Sequence, residues 1–305
     1  MAPFDFNLSD AVAVGARRLD ELRISAANDY NVFSELVARD NRGRPVKQGD
    51  IHRCWHLHLD YCARKKKHAG ILAPFGHGKT TQIIIQRVAW ELGRDPDLRV
   101  KMVCQTTPNA AKRLRAVAAF LQSPLFRFVF PHIRVASTKA KKDQQSGAGS
   151  FSLWLQRVGF AVDASIEAMG VLGSGTGGRG DIVVLDDVVD RRNAIDEPAL
   201  REKVIENIDE VWLQRVDPEI GRVWYIGTPW HMADYSHRIL ERPDAWCVLR
   251  QPIAYDFKLI DQEVYGMADD YWCWICKAPS YAGALACEAC GSPHVGLDYP
   301  LPLAA

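Results

Sequence analysis

Short apolar runs alternate with amphipathic stretches along most of this chain, and that alternation predicts an α/β protein. Residues 69–72, 100–104, 151–155, 182–185, 223–226 and 246–250 are short and largely apolar, as strands buried on both faces of a parallel sheet are. Between them lie stretches with helical spacing. Residues 9–24 put Val12, Leu19 and Leu22 on one face behind Ser9 as N-cap, and 28–38 predict a second short helix. Residues 41–45 predict a loop. Asp50 is expected to cap a third helix carrying Trp55, Leu57, Leu59 and Tyr61. Further helices are predicted over 80–90, from Pro108 onward, over 197–213 with Pro198 in the first turn, and over 234–240. Residues 137–147 are polar and basic and predict a mobile segment, either a lid or a plain surface loop. No internal repeat interrupts this order.

One junction between a predicted strand and helix carries chemistry. Ala73, Pro74, Phe75, Gly76, His77, Gly78, Lys79 and Thr80, followed by Thr81, match the phosphate-binding pattern G-x4-G-K-[ST], with Ala73 in place of the first glycine. Glycines let backbone N–H groups turn inward around phosphate oxygens, and the following helix N-terminus adds partial positive charge. Lys79 reaches β- and γ-phosphates in such a loop, and the Thr80 hydroxyl joins a Mg²⁺ shell. Alanine at 73 requires the turn to start from a φ that alanine tolerates.

A site of this kind needs carboxylates, and one strand supplies them. Asp186 and Asp187 end the run Ile182, Val183, Val184, Leu185, at the carboxyl end where open α/β sheets bind ligands. Asp186 is the expected Mg²⁺ partner of Thr80. Asp187 stands where a catalytic glutamate is common, one methylene shorter. The strand at 223–226 ends in Gly227, Thr228 and Pro229, and Thr228 is placed to sense a γ-phosphate and couple its loss to the next helix. His52, Trp55 and His56, ahead of the loop, are either adenine contacts or core.

Taken in order, these pieces resemble the ATPase domain of large terminase subunits, the DNA-packaging motors of tailed bacteriophages. The resemblance rests on the loop 74–80, the glycine-rich stretch 173–181 around Arg179, the strand ending at Asp186 and Asp187, and Gly227, Thr228, Pro229, Trp230 and His231. It covers roughly residues 50–255. In one terminase group the last segment reads Thr-Arg-Trp-His, so Pro229 stands where that group has arginine. Many terminases also carry an arginine within the phosphate loop, where this chain has Phe75, Gly76 and His77. The resemblance implies a P-loop NTPase of the ASCE/RecA-like kind, with a mainly parallel sheet and flanking helices. It implies ATP and Mg²⁺ as cofactors and double-stranded DNA as the translocated partner. It further implies portal protein and small terminase subunit as partners, and a ring, pentameric on the procapsid, with a monomer in solution as the alternative state. In such rings an arginine from one subunit completes its neighbour's site, and Arg179 is the candidate here, in cis or in trans. Full-length relatives carry an RNase H-like nuclease domain. The residues after 260 are too few for one, so nuclease activity is not expected in this chain.

Composition changes this picture in two places. The 305 residues carry a formal charge of +1, so contact with DNA has to come from local patches, such as Arg64 to His68, rather than a global field. No apolar run is long enough to span a membrane and the start is unlike a signal peptide, so the expected location is the bacterial cytoplasm, transiently on the procapsid. Of eight cysteines, Cys54, Cys62, Cys104 and Cys247 lie in apolar contexts. Cys273, Cys276, Cys287 and Cys290 form two C-x2-C knuckles ten residues apart, a four-thiolate pattern for structural Zn²⁺. The expected organisation is an N-terminal helical segment (1–49), a P-loop core (50–260) and a zinc-binding element or linker (261–300). The alternatives are a helicase-like DNA-dependent ATPase, or a zinc-containing DNA-binding scaffold whose nucleotide site is vestigial.

Overall fold

The computed structural model describes residues 8–40, 42–142, 149–157, 162–173, 178–251, 271–272 and 279–280. Its helices are α1 (Leu8–Asn28), α2 (Tyr30–Val37), α3 (Asp50–Arg64), α4 (Val88–Arg94), α5 (Thr107–Leu121), α6 (Pro124–Val129), α7 (Pro198–Asn207) and α8 (Tyr235–Leu240). A wide π-turn segment, Thr80–Arg87, runs directly into α4. The strands of the main sheet are β1 (His68–Leu72), β2 (Val100–Cys104), β3 (Val135–Lys142), β4 (Gly149–Leu155), β5 (Ile166–Gly170), β6 (Ile182–Asp186), β7 (Arg222–Gly227) and β8 (Trp246–Arg250). Their order is β3-β4-β5-β2-β6-β7-β1-β8. Strands β5 to β8 of that order run parallel, while β3 and β4 are antiparallel additions at one edge.

Burial on both faces explains the apolar runs. Ile71, Met102, Ile182, Val184, Trp224 and Ile226 point to one layer, against Phe33, Trp55, Trp90 and Phe126. Leu72, Val103, Val183, Leu185, Val223 and Tyr225 point to the other, against Ile208, Trp212, Tyr235 and Ile239. The N-terminal helices join the first layer: Tyr30 and Phe33 are buried in it, and Trp90 Nε1 donates to the Ala26 carbonyl at 3.0 Å. Trp55 and His56 are core residues, with the His56 ring tilted against Tyr30 at a centroid distance of 3.7 Å.

Two expectations are corrected. Residues 137–142 are not a mobile loop but most of β3, in register with β4 from Lys142↔Gly149 to Ser137↔Trp154. An edge strand has one partner and needs no second apolar face, so lysines there carry no strand signal while they discourage further pairing. Asp50 is not the cap of α3. Gly49 is, and its amide donates to His52 Nδ1 at 3.3 Å, leaving Asp50 in the first turn where its charge suits the helix dipole. Strand β5 and helix α6 had no counterpart among the predicted elements, because Glu167 interrupts the one apolar run and α6 is only six residues long.

Beyond Gln251 two short strands, β9 (Tyr271–Trp272) and β10 (Pro279–Ser280), pair antiparallel. The zinc expectation at Cys273, Cys276, Cys287 and Cys290 lies outside the described residues.

Candidate nucleotide site

Three parallel strands end side by side, and their tips make the site. β1 leads into the loop 73–79, β6 ends at Asp186, and β7, lying between them, ends at Gly227. The loop turns through two left-handed glycines, Gly76 (φ +82°) and Gly78 (φ +79°). Chain neighbours aside, no atom lies within 4 Å of where a Cβ on Gly76 would sit, and on Gly78 only His52 Nε2 comes that near, so it is the left-handed φ rather than crowding that calls for glycine. Ala73 is not among the residues with positive φ. It is buried, and its amide donates to the Gly227 carbonyl at 3.1 Å, which is why a glycine is not required there.

Lys79 is 5% exposed and its ammonium has protein partners on three sides: the carbonyls of Ala73 and of Pro74 (3.0 Å), and Thr228 Oγ1 (2.9 Å). The Thr228 hydroxyl in turn donates to the Ala73 carbonyl at 3.0 Å. Lys79 and the tip of β7 are thus one hydrogen-bonded unit, and a displacement of the lysine is felt at Thr228. His77 Nδ1 and the Phe75 carbonyl are 2.9 Å apart, which closes the loop on itself. Phe75 is exposed and packs 5.4 Å from Trp230, so an aromatic pair spans the phosphate loop and the segment after Thr228. Thr81 is exposed in the first turn of the helix.

On the acidic side, the Thr80 hydroxyl lies 3.5 Å from Asp186 Oδ1. Two hard oxygen donors at that spacing, one charged, fit a Mg²⁺ shell completed by water and phosphate. Asp186 is 1% exposed. Burial, and then the neighbouring Asp187, push its carboxyl up to about 6, against the opposing pull of Arg113 and Lys79. Asp187 is also raised by burial, offset by Lys79 and Arg113, while burial lowers Lys79 against the attraction of the two acids. Asp187 has φ +45°, a left-handed conformation costing about 1–2 kcal/mol for a residue with a Cβ. Its amide donates to the Ile226 carbonyl at 2.9 Å, so the turn is held by β7. Strain of this kind collects where a side chain has to leave its strand in a set direction.

Arg179 is elsewhere. It is exposed, and precedes Gly180, which bridges to Val216 at the opposite end of β6. Five strand residues separate that end from Asp186, roughly 16 Å at 3.3 Å per residue. Arg179 shares a cleft of about 820 Å³ with Lys66, Lys67 and Arg222 on that far edge.

Two site residues escape a reading by motif. Arg113 of α5 donates through Nε to Asp186 Oδ2 at 2.9 Å. It stands among the cations of a solvated helix face, Lys112 and Arg115, with no spacing to mark it. His52 lies 3.0 Å through Nε2 from the His77 carbonyl. Because Nδ1 accepts from Gly49, Nε2 carries the proton and donates, so the first turn of α3 clamps the phosphate loop. Burial lowers the His52 pKa and keeps the ring neutral in that role.

This fold is similar to solved structures of phage large terminases. The crystal structure of the HK97 bacteriophage large terminase matches with a TM-score of 0.47 and 13% identity, over 79% of this chain and 48% of that one. The large terminase ATPase domain of Thermus phage P74-26 gives 0.39 and 14%, over 64% of this chain and 69% of that one. The Phi-28 gp11 DNA packaging motor gives 0.35 and 11%, over 67% and 62%. The chain spans about half the length of the HK97 protein. No family model and no curated protein matches the sequence. Among the described residues no helix is long and apolar enough to cross a membrane, and no group of three His, Cys, Asp or Glu side chains is placed to hold a metal.

Proposed function

We propose that this chain is an ATP-hydrolysing motor unit of a phage DNA-packaging terminase, of the ASCE/RecA-like kind. The observation that carries the nucleotide part is the meeting of Lys79, Thr80, Asp186 and Thr228 at adjacent strand tips, from positions up to 149 residues apart. The amides around Gly76 and Gly78 and the Lys79 ammonium hold the β- and γ-phosphates. Thr80 and Asp186 would hold Mg²⁺, which would supply positive charge to offset the charge developing on the phosphate oxygens. Asp187 orients water toward the γ-phosphate. Burial raises its carboxyl above the usual carboxylate range, which favours its accepting a proton. Thr228 registers the movement of Lys79 through the hydrogen bond they share, and passes it toward α8. Arg179, at the far edge of the sheet, serves a neighbour's site in a ring.

The packaging part rests on the order of motifs in the sequence. Its partners are double-stranded DNA, the portal protein and the small terminase subunit, and its place of action is the host cytoplasm, at the procapsid. Cys273, Cys276, Cys287 and Cys290 hold one structural Zn²⁺. Metal analysis of purified chain is expected to give one zinc per chain, lost in Cys273→Ser; a chain without zinc removes that assignment.

The nucleotide reading is tested by titrating the protein with Mg²⁺-ADP and by following phosphate release from Mg²⁺-ATP. Lys79→Ala is expected to weaken binding about tenfold or more, the worth of a charge-assisted contact, and to abolish turnover. Equal turnover by wild type and Lys79→Ala refutes the role given to Lys79. Translocation is tested by DNA stimulation of phosphate release, which a vestigial or scaffold site lacks.

A further inference from the structure

Helix α5 brings to the site a cation with no part in the phosphate-loop pattern. The two oxygens of Asp186 have separate partners: Oδ2 accepts from Arg113 Nε at 2.9 Å, and Oδ1 lies 3.5 Å from the Thr80 hydroxyl. At 1% exposure the carboxylate has no water to turn toward, so Arg113 sets its torsion and thereby which oxygen meets Thr80. Lys79 does not share this task, because its ammonium is directed to Ala73, Pro74 and Thr228. Arg113 also lies outside the apolar buried face of its own helix. The buried face of α5 is Ala110, Ala111, Leu114, Val117, Ala118 and Leu121, and the Arg113 side chain is one-quarter exposed.

We propose that Arg113 is a positioning residue of the nucleotide site. It holds the Asp186 carboxylate in the orientation that presents Oδ1, together with Thr80, to Mg²⁺. Arg113 touches neither metal nor phosphate in this role. It acts as the outer partner that fixes a ligating carboxylate, a class of contact whose loss costs about 10- to 100-fold in metal affinity. The inference rests on the nucleotide reading above.

The test separates metal from nucleotide. ADP is titrated by calorimetry into the full chain in EDTA, and Mg²⁺ is then titrated into the ADP complex. In Arg113→Ala and Arg113→Gln, ADP affinity in EDTA is expected to match wild type, while the Mg²⁺ needed for half effect rises about tenfold or more. Arg113→Lys keeps the charge without the planar fork and is expected to fall between them. Circular dichroism melts confirm that each variant folds. A role confined to stability would move the melting temperature and leave the Mg²⁺ titration as in wild type, and that result overturns the proposal. Equal loss of ADP affinity with and without metal overturns it too. Wild type that binds no ADP in either condition refutes the nucleotide reading and this inference with it.

Discussion

Two variants that are each inactive alone, Lys79→Ala and Arg179→Ala, are expected to regain ATP hydrolysis when mixed. The reason is where β6 puts its two ends. Asp186 closes the strand at the phosphate loop, whereas Arg179 lies just ahead of its other end, exposed, roughly 16 Å away by strand rise. An arginine so placed cannot reach its own γ-phosphate without unravelling β6, whose five residues are all buried. In a head-to-tail ring, the far edge of one subunit meets the site of the next. An Arg179→Ala subunit then keeps an intact phosphate loop, and a Lys79→Ala neighbour supplies the missing guanidinium. Loss of an arginine acting in trans costs about 10³- to 10⁵-fold in turnover. Random mixing of equal amounts restores the correct pairing at roughly a quarter of the interfaces, a large signal over either parent. Phosphate release from the mixture, at conditions where wild type is assembled, is the measurement. A mixture no faster than its components refutes action in trans.

Asp186→Asn is expected to separate stability from function in opposite directions. Burial holds the Asp186 carboxyl near 6, above its value in an unfolded chain. The folded state therefore binds that proton more tightly than the unfolded state, and folding is penalised whenever the group is ionised. The penalty is fully present above about pH 6 and fades as pH falls toward the unfolded value near 4. An amide has the same shape and no charge to desolvate, and Arg113, one-quarter exposed, can turn to water. The variant is expected to melt about 2–8 °C above wild type at pH 7.5, for a gain on the order of 1–3 kcal/mol, and the difference should shrink below pH 5. Hydrolysis falls about 10²-fold or more, because the metal loses its charged ligand. A variant that melts lower than wild type at pH 7.5 contradicts the account of Asp186 as an acid whose ionised form costs the fold stability.

Much of this site is legible without a structure because its parts are local. The loop is announced by glycines that need positive φ, and Gly76 and Gly78 adopt it. The acidic strand is announced by four apolar residues that only a doubly covered strand requires, and Asp186 follows them directly. The tip at Thr228 follows from the same logic on β7. Ala73 is a milder case: the pattern asks for glycine, and only the backbone bond to Gly227 accounts for alanine.

What local pattern leaves out is every contact made between distant segments. Arg113 looks like any cation on a solvated helix face until β2 and β6 are seen to be neighbours, with Cys104 beside Asp186. His52 becomes a clamp on the loop only because α3 packs over β1. The lysines of β3 read as a loop because an edge strand is held by one ladder of backbone bonds, which leaves no trace in hydrophobicity. The sequence by itself determined the mixed α/β class of fold, the left-handed glycine turns of the loop after β1 and the buried strand that ends at Asp186, since φ preference and burial act over a few residues. The tertiary structure alone decided which cation holds Asp186 and that Arg179 lies at the opposite end of β6 from Asp186, since strand order is set by packing across the whole sheet.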